Sequence, residues 1–99
     1  MYITLYQWQL KPGKEQQFIE AWTRLTTRLQ NTAPQVSAKL LKTLQGEWVA
    51  LIEWPSQKEW ESQTNENIDL LAQKSLMECV QELQNLVPME VVKNLKPRP

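Results

Sequence analysis

The stretch GEWVALIEWPSQKEW, residues 46–60, decides the fold because it contains a strand, a stop signal and the start of a helix. Its apolar and aromatic residues predict a strand over residues 47–54, which Pro55 ends. Ser56 followed three residues later by Glu59 is the pattern of a capping box, in which the serine hydroxyl accepts a hydrogen bond from the amide of residue 59. A strand that passes directly into a short helix is therefore expected here.

Towards the N-terminus, the sequence predicts a first strand and a long helix. Residues 2–10 alternate polar and apolar side chains and end at a proline-glycine turn, which is typical of a strand. Residues 15–31 carry apolar residues at spacings of four, three and four, which place them on one face of a helix. These apolar residues are Phe18, Trp22, Leu25 and Leu29. Pro34 ends the helix because the residue before a proline avoids helical geometry.

The remaining elements lie on either side of the central stretch. Residues 35–44 predict a second strand, joined to the third by a two-residue loop. After a polar break at residues 63–67, residues 68–84 predict a helix with an apolar stripe. The stripe consists of Ile68, Leu71, Ala72, Leu76, Cys79, Val80 and Leu83. A last strand is expected over residues 89–95, after Pro88.

The predicted fold class is α+β, with the ferredoxin-like order β-α-β-β-α-β and a four-stranded antiparallel sheet. At 99 residues one domain is expected, over residues 1–95, followed by a flexible tail at residues 96–99. RNA-recognition domains share this order and are the rival interpretation. Gln45 and the acidic Glu47 stand where their basic signature would lie, and the charge balance also disfavours them.

Composition excludes several function classes. The 11 Lys and Arg balance 11 Asp and Glu, so the chain lacks the cationic excess of a duplex nucleic-acid binder. One Cys excludes an intrachain disulfide and a thiolate zinc site. The absence of His removes histidine-activated nucleophiles and His-ligated haem, zinc or iron. We therefore expect no metal and no cofactor.

Location and membrane contact are inferred from the same sequence. The N-terminal residues have no basic start of a signal peptide, and the longest apolar run, residues 49–52, is too short to span a bilayer. A cytoplasmic protein without membrane contact is expected, and a lone cysteine suits a reducing compartment.

Both faces of the predicted sheet are apolar. Alternation places Trp48, Ile52 and Trp54 on one face of the third strand and Val49 and Leu51 on the other. Both helices of this topology lie on one side of the sheet, so the second face would expose a large apolar patch. A homodimer that packs two sheets face to face is expected, and a monomer with a half-solvated sheet is the alternative.

The segments KPGKEQQF (residues 11–18, with Ala21 and Trp22 following) and EWPSQKEW (residues 53–60) resemble the antibiotic biosynthesis monooxygenase domain. The resemblance covers almost the whole chain and implies a dimeric α+β barrel with a pocket in each subunit, between sheet and helices. That family includes cofactor-free oxygenases of polycyclic phenols, haem-degrading enzymes and members of other roles, so the resemblance specifies a fold better than a reaction.

Within that family, haem degradation implies an Asn, a Trp and a His, whose places are taken here by Tyr6, Gln63 and Gln73. None of the three matches, so haem degradation is disfavoured. The cofactor-free branch implies a dry pocket with hydrogen-bond donors for a substrate anion. The resemblance thus implies a ligand site of four candidate residues: Tyr6, Trp8, Trp22 and Gln63.

Each candidate also has a purely structural interpretation. Trp22 lies on an apolar helix stripe, which favours core packing. Trp48 and Trp54 suit an interface or a pocket equally, and Trp60 would hold the short helix to the sheet. Cys79 is expected to be a buried apolar residue. Two functions remain: a cofactor-independent monooxygenase-like protein that binds a small apolar or aromatic ligand, and a non-catalytic ligand-binding or structural dimer of the same fold.

Overall fold

The computed structural model of the chain describes residues 1–63 and 70–97. Its elements follow the predicted α+β order, and the short helix expected after the third strand is present. They are β1 (Tyr2–Leu10), α1 (Glu15–Thr32), β2 (Ser37–Lys42), β3 (Trp48–Trp54), α2 (Gln57–Gln63), α3 (Leu70–Cys79) and β4 (Val80–Glu90). The predicted ferredoxin-like fold class is confirmed.

The four strands form one antiparallel sheet in the order β2-β3-β1-β4. In the central pair, Tyr2 of β1 lies opposite Trp54 of β3, and Trp8 lies opposite Trp48. Because directly opposite residues share a face of a sheet, this register collects the aromatic residues of both strands on one side. That side is the one that the helices cover.

The end of α3 and the bounds of β4 differ from the sequence prediction. The helix predicted over residues 68–84 ends at Cys79, and residues 80–84 belong to β4, which ends before most of the predicted strand at 89–95. The cause lies in β1, whose free edge requires hydrogen-bonding partners along its whole length. Val80 pairs with Leu10, and the Lys11 amide donates to the Cys79 carbonyl at 2.8 Å. This pairing outweighs the helical periodicity of residues 80–83.

Smaller differences concern other element ends. The second strand is shorter at both ends than the predicted residues 35–44. Residue 63 belongs to α2 instead of the predicted polar break, and the rest of that break lies outside the described residues. The predicted start of the second long helix at residue 68 and the end of the predicted tail, residues 98–99, also lie outside them.

The core lies between the sheet and the helices. One part surrounds the fully buried Phe18 of α1, which contacts Trp8 edge-on with ring centroids 5.2 Å apart. A second part surrounds Trp54, whose Nε1 donates to the buried Thr4 Oγ1 at 3.0 Å. These two clusters show that the helices cover the face of β1 and β3 that carries Trp8 and Trp54, a choice that the sequence pattern leaves open.

The opposite side of the sheet is apolar as well. The register places Leu5 beside Leu51 and Ile3 beside Met89, and all lie on the face away from α1 and α3. Leu5, Leu51 and Val49 are partly buried, whereas Leu41, Val87 and Met89 are exposed. Within the described part of the chain, no helix covers this outer face.

Among residues 1–63 and 70–97, no helix has the length and apolar content needed to cross a lipid bilayer.

Candidate functional site

A cavity of about 330 Å³ lies between the sheet and helices α1 and α3. The sheet contributes the floor, and the two helices contribute the walls. The lining residues are Tyr6, Trp8, Trp22, Leu25, Thr26, Leu29, Ile52, Gln73, Leu76 and Met77. The cavity is thus lined mainly by apolar and aromatic side chains, as small-molecule sites are, and it is open to solvent beside the exposed Gln73 and Met77.

Two aromatic rings on β1 form one side of the cavity. Tyr6 and Trp8 are two residues apart, so the pleat places both on the helix-covered face. Their ring centroids are 5.7 Å apart and the ring planes differ by 8°. Trp8 is fixed by its edge-on contact with Phe18. The pair therefore forms a rigid, nearly parallel aromatic surface.

The helices supply the other walls. Every lining residue of α1 falls on one helix face, at spacings of three, one and three: Trp22, Leu25, Thr26 and Leu29. Helix α3 contributes Gln73, Leu76 and Met77. The Gln17 side-chain amide donates to the Ser75 carbonyl at 3.1 Å and so ties the two helices together at one end of the cavity.

Among the residues that the structure describes, the lining is polar at a few points and carries no formal charge. Of the lining residues in the described part of the chain, Tyr6 is the only ionisable one. The Tyr6 hydroxyl, the Trp22 indole N–H, the Thr26 hydroxyl and the Gln73 amide make no side-chain hydrogen bond to any residue in 1–63 or 70–97. These neutral polar side chains, which have no side-chain partner among the described residues, can therefore meet a ligand.

Cys79 lies outside the lining and is fully buried in the core. Its Sγ lies 3.3 Å from the Ser75 carbonyl oxygen, to which the thiol donates. Burial raises the pKa of the Cys79 thiol above its ordinary value, against a smaller opposing effect of the Lys14 ammonium. A protonated, enclosed thiol is a poor nucleophile, as its sequence position indicated.

The structure brings three of the four predicted site residues together. Tyr6, Trp8 and Trp22 line the cavity, although their part in ligand binding stays a prediction. Gln63 lies at the end of α2 and is not among the described lining residues; its Oε1 accepts from the Thr32 hydroxyl at 3.5 Å. Its role in binding also stays a prediction.

Sequence reasoning missed two polar lining residues. Thr26 lies one turn beyond Trp22 on α1, so the helical spacing of the apolar stripe could have found it. The sequence singles out Gln73 only as a mismatch to a haem-degrading pattern, yet its side chain lies at the cavity. No local signal distinguishes Gln73 from Gln63, because their placement depends on how α2 and α3 pack.

The other tryptophans have structural positions. Trp60 packs against Tyr2, with ring centroids 5.5 Å apart, and so holds α2 to the sheet as predicted. Trp48 packs edge-on against Phe18, and Trp54 is 4% exposed within the second core cluster. Both point to the helix-covered side and neither lines the cavity.

Several solved structures share the whole fold. A candidate antibiotic biosynthesis monooxygenase from Nitrosomonas europaea aligns with a TM-score of 0.74 and 18% identity, over 94% of this chain and 100% of that one. One from Caulobacter crescentus gives a TM-score of 0.80 and 12% identity, over 93% and 90%. Rv0793 from Mycobacterium tuberculosis gives a TM-score of 0.76 and 11% identity, over 96% of this chain and 98% of that one.

No protein-family model and no curated protein matches the chain. At these low identities, the likeness to solved structures speaks for the fold and leaves the reaction open. The chain has the ferredoxin-like α+β fold of the antibiotic biosynthesis monooxygenase structures.

Proposed function

We propose that this protein is monooxygenase-like and binds a small apolar or aromatic molecule in its intrasubunit cavity. The observation that carries the proposal is the cavity of about 330 Å³ with the stacked Tyr6–Trp8 pair on one side and unpaired polar groups among its apolar walls. Apolar walls give affinity, and a few polar groups orient the ligand.

The cavity volume limits the size of the ligand. Small-molecule sites range from roughly 300 to 1,000 Å³, so a cavity of about 330 Å³ suits a molecule of one or two fused rings. The parallel rings of Tyr6 and Trp8 offer edges and faces to an aromatic ligand, which favours offset or edge-to-face contacts.

Cofactor-independent oxygenation is the reaction to test first, because several structures of the same fold are named for monooxygenases. In the balanced reaction, an activated CH₂ group and O₂ give a carbonyl group and water. The substrate loses four electrons; one oxygen atom enters the product and the other leaves as water. Since the described lining contains no carboxylate, the substrate would have to lose its proton without a strong protein base.

Non-catalytic binding is the second candidate, and the same lining favours it. Tyr6 is the one ionisable side chain of the described lining, and the buried Cys79 lies outside it. A cavity of this kind can hold a ligand without changing it. Oxygenation and non-catalytic binding can be distinguished by measuring whether oxygen is consumed when the ligand is bound.

Binding is tested by titrating the protein with 2-naphthol and recording tryptophan fluorescence, since Trp8 and Trp22 lie at the cavity. The variant Thr26→Phe fills the cavity and should weaken binding about tenfold or more, or about 1.4 kcal/mol. The matched control Thr27→Phe places the same ring at an exposed position of α1 and should bind normally. Equal binding of 2-naphthol by both variants would place the ligand elsewhere. A separate variant, Gln63→Ala, tests whether the Gln63 side chain contributes to binding.

Catalysis is tested with an oxygen electrode on protein freed of metal by a chelator. A panel of hydroxylated tetralones and naphthols, which have two fused rings and an activated CH₂ group in the keto form, is offered as substrate. Oxygen uptake that Thr26→Phe abolishes and Thr27→Phe preserves would support oxygenation. Naphthol binding without uptake across the panel would favour the non-catalytic candidate.

The functional unit in this proposal is a homodimer joined through the outer face of the sheet, in a cytoplasmic setting. The support is the apolar centre of that face, which includes Leu5, Val49 and Leu51. Exposed apolar patches of this kind mark interaction sites more often than free surface. A single cysteine, Cys79, suits a reducing compartment.

A further inference from the structure

We infer that Met77 is an oxidation-sensitive site of the cavity: when a peroxide converts its thioether to the sulfoxide, an apolar or aromatic ligand binds more weakly. The inference rests on the proposed ligand-binding function and adds a redox response to it. It is drawn from the position of Met77, which belongs both to the cavity lining and to the protein surface.

Helix α3 brings a buried and an exposed residue to the cavity side by side. Leu76 is 6% exposed and belongs to the core, whereas Met77 is 52% exposed, and both line the cavity. Gln73, one turn before Met77, is exposed as well. Met77 therefore lies at the open side of the cavity, where a small water-soluble oxidant can approach its side chain. The proposed dimer joins the opposite face of the sheet and leaves this side accessible.

The chain contains three methionines, and their positions separate an effect on the cavity from a general one. Met1 is 58% exposed, and Met89 is 38% exposed on the outer face of the sheet, where it lies opposite Ile3. Neither is among the described residues that line the cavity. Peroxide can reach all three side chains, and Met77 is the one whose oxidation changes the described lining.

The other sulfur of α3, in Cys79, is protected. Cys79 is fully buried, and its thiol donates to the Ser75 carbonyl at 3.3 Å. Burial raises the pKa of this thiol and so keeps it protonated at neutral pH. Since oxidation of cysteine follows thiolate character and exposure, Met77 should react with peroxide before Cys79 does.

Oxidation makes one residue of the cavity wall polar. Hydrogen peroxide transfers one oxygen atom to the Met77 sulfur: the O–O bond breaks, an S–O bond forms, the sulfur loses two electrons and water leaves. If the sulfoxide oxygen faces the cavity, it meets the apolar part of the ligand; if the side chain turns to solvent, the ligand loses that part of the wall. In both orientations an apolar contact of about one methylene is lost, which corresponds to about fourfold in affinity.

The inference is tested by oxidising the wild-type protein with hydrogen peroxide and removing the excess with catalase. Peptide mass spectrometry locates each sulfoxide and checks that Cys79 is intact, and 2-naphthol is then titrated with tryptophan fluorescence as the readout. When Met77 is fully oxidised, the Kd should rise about fourfold. The two methionine sulfoxide reductases, one for each epimer, should restore the original Kd.

Two substitutions at Met77 separate its oxidation from other damage. Met77→Leu removes the sulfur and keeps an apolar side chain that favours a helix, so its Kd should be the same before and after peroxide. Met77→Gln is polar without any peroxide and should bind 2-naphthol about fourfold more weakly than Met77→Leu. Met89→Leu is the matched control: it lies outside the described lining, so peroxide should weaken its binding as it does for the wild type.

The outcomes distinguish this inference from the proposed function. If the untreated wild type does not bind 2-naphthol, the proposed function fails and the inference fails with it. If it binds and the Kd stays unchanged after full oxidation of Met77, ligand binding stands and the inference is wrong. An equal loss of affinity in peroxide-treated Met77→Leu would assign the effect to another residue and would also contradict it.

Discussion

The hydrogen bond between Trp54 and Thr4 is a polar contact inside an apolar layer. Trp54 Nε1 donates to Thr4 Oγ1 at 3.0 Å, and Thr4 is fully buried. A threonine at this position of β1 looks like an exception to the apolar pattern, yet it is the acceptor that lets an indole be buried on β3. Buried donors without such partners cost more than the bond itself contributes.

The variant Thr4→Val tests this contact because valine has nearly the same shape and no acceptor. We expect the free energy of unfolding to fall by about 1–3 kcal/mol, the cost of a buried unpaired N–H. Urea denaturation measures the change. Thr23→Val on the exposed side of α1 is the control and should stay within about 0.5 kcal/mol. In a double-mutant cycle with Trp54→Phe, the combined loss should be smaller than the sum of the two single losses, and additive losses would argue against the pairing.

The buried thiol of Cys79 makes stability depend on pH in the alkaline range. Its pKa in the folded protein is raised by burial above the ordinary value of 9.0. The folded chain therefore keeps a proton that the unfolded chain releases, so stability is full below pH 9.0 and falls as the pH rises above it. Denaturation midpoints of wild type and Cys79→Ala, measured from pH 7 upward, should converge in this range. Parallel curves would contradict the assignment.

The strands and helices differ in how far local sequence determines them. Residues 2–10 became β1 with the predicted bounds because alternation and a proline-glycine turn mark both its face and its end. The junction at Cys79 and Val80 carries no Gly or Pro, and Val80 and Leu83 also fit a helical stripe. The pairing of β4 with β1 decides that junction, and pairing between distant segments has no local signal.

Helix α2 depends on its N-terminal cap. The Ser56 hydroxyl accepts from the Glu59 amide at 3.2 Å, as the capping-box pattern predicts. In a helix of 7 residues, one satisfied amide is a large share of the stability.

We expect Ser56→Ala to lower the free energy of unfolding by about 1 kcal/mol and Ser56→Asp to retain it, since a carboxylate also accepts from the first turn. Guanidinium denaturation measures both variants. Ser62→Ala in the same helix is the control and should be neutral or stabilising, because Ser62 only bonds back to the Glu59 carbonyl. A cost at Ser62 equal to that at Ser56 would argue against capping.

The cavity was partly predictable. Some of its lining residues are placed by residue spacing within one strand or helix, whereas others are placed by how the helices pack against the sheet. The two-residue spacing of Tyr6 and Trp8 fixes their common face from sequence alone, and Trp22 belongs to a helix stripe that must face the sheet. The polar residues followed no such rule. Whether Gln63 or Gln73 reaches the cavity depends on how α2 and α3 pack, which the spacing of residues within each helix does not determine.

The outer face of the sheet has the composition of an interface. Its centre is apolar, with Leu5 opposite Leu51. Its two ends are polar: Gln7 donates to Glu47 Oε2 at 2.7 Å at one end, and Ser37 Oγ lies 3.4 Å from Glu53 Oε2 at the other. An apolar centre with a polar rim is typical of protein–protein interfaces.

Leu51→Glu should therefore convert the proposed dimer to a monomer, because two carboxylates would meet in the desolvated centre of a symmetric interface. Sedimentation velocity over a range of concentrations measures the association state. Leu44→Glu is the matched control: Leu44 is fully exposed in the turn between β2 and β3, so the same substitution there should leave the dimer intact. Since the cavity lies on the other side of the sheet, naphthol binding should survive in the Leu51→Glu monomer. A wild-type protein that sediments as one chain at every concentration would contradict face-to-face pairing of the sheets.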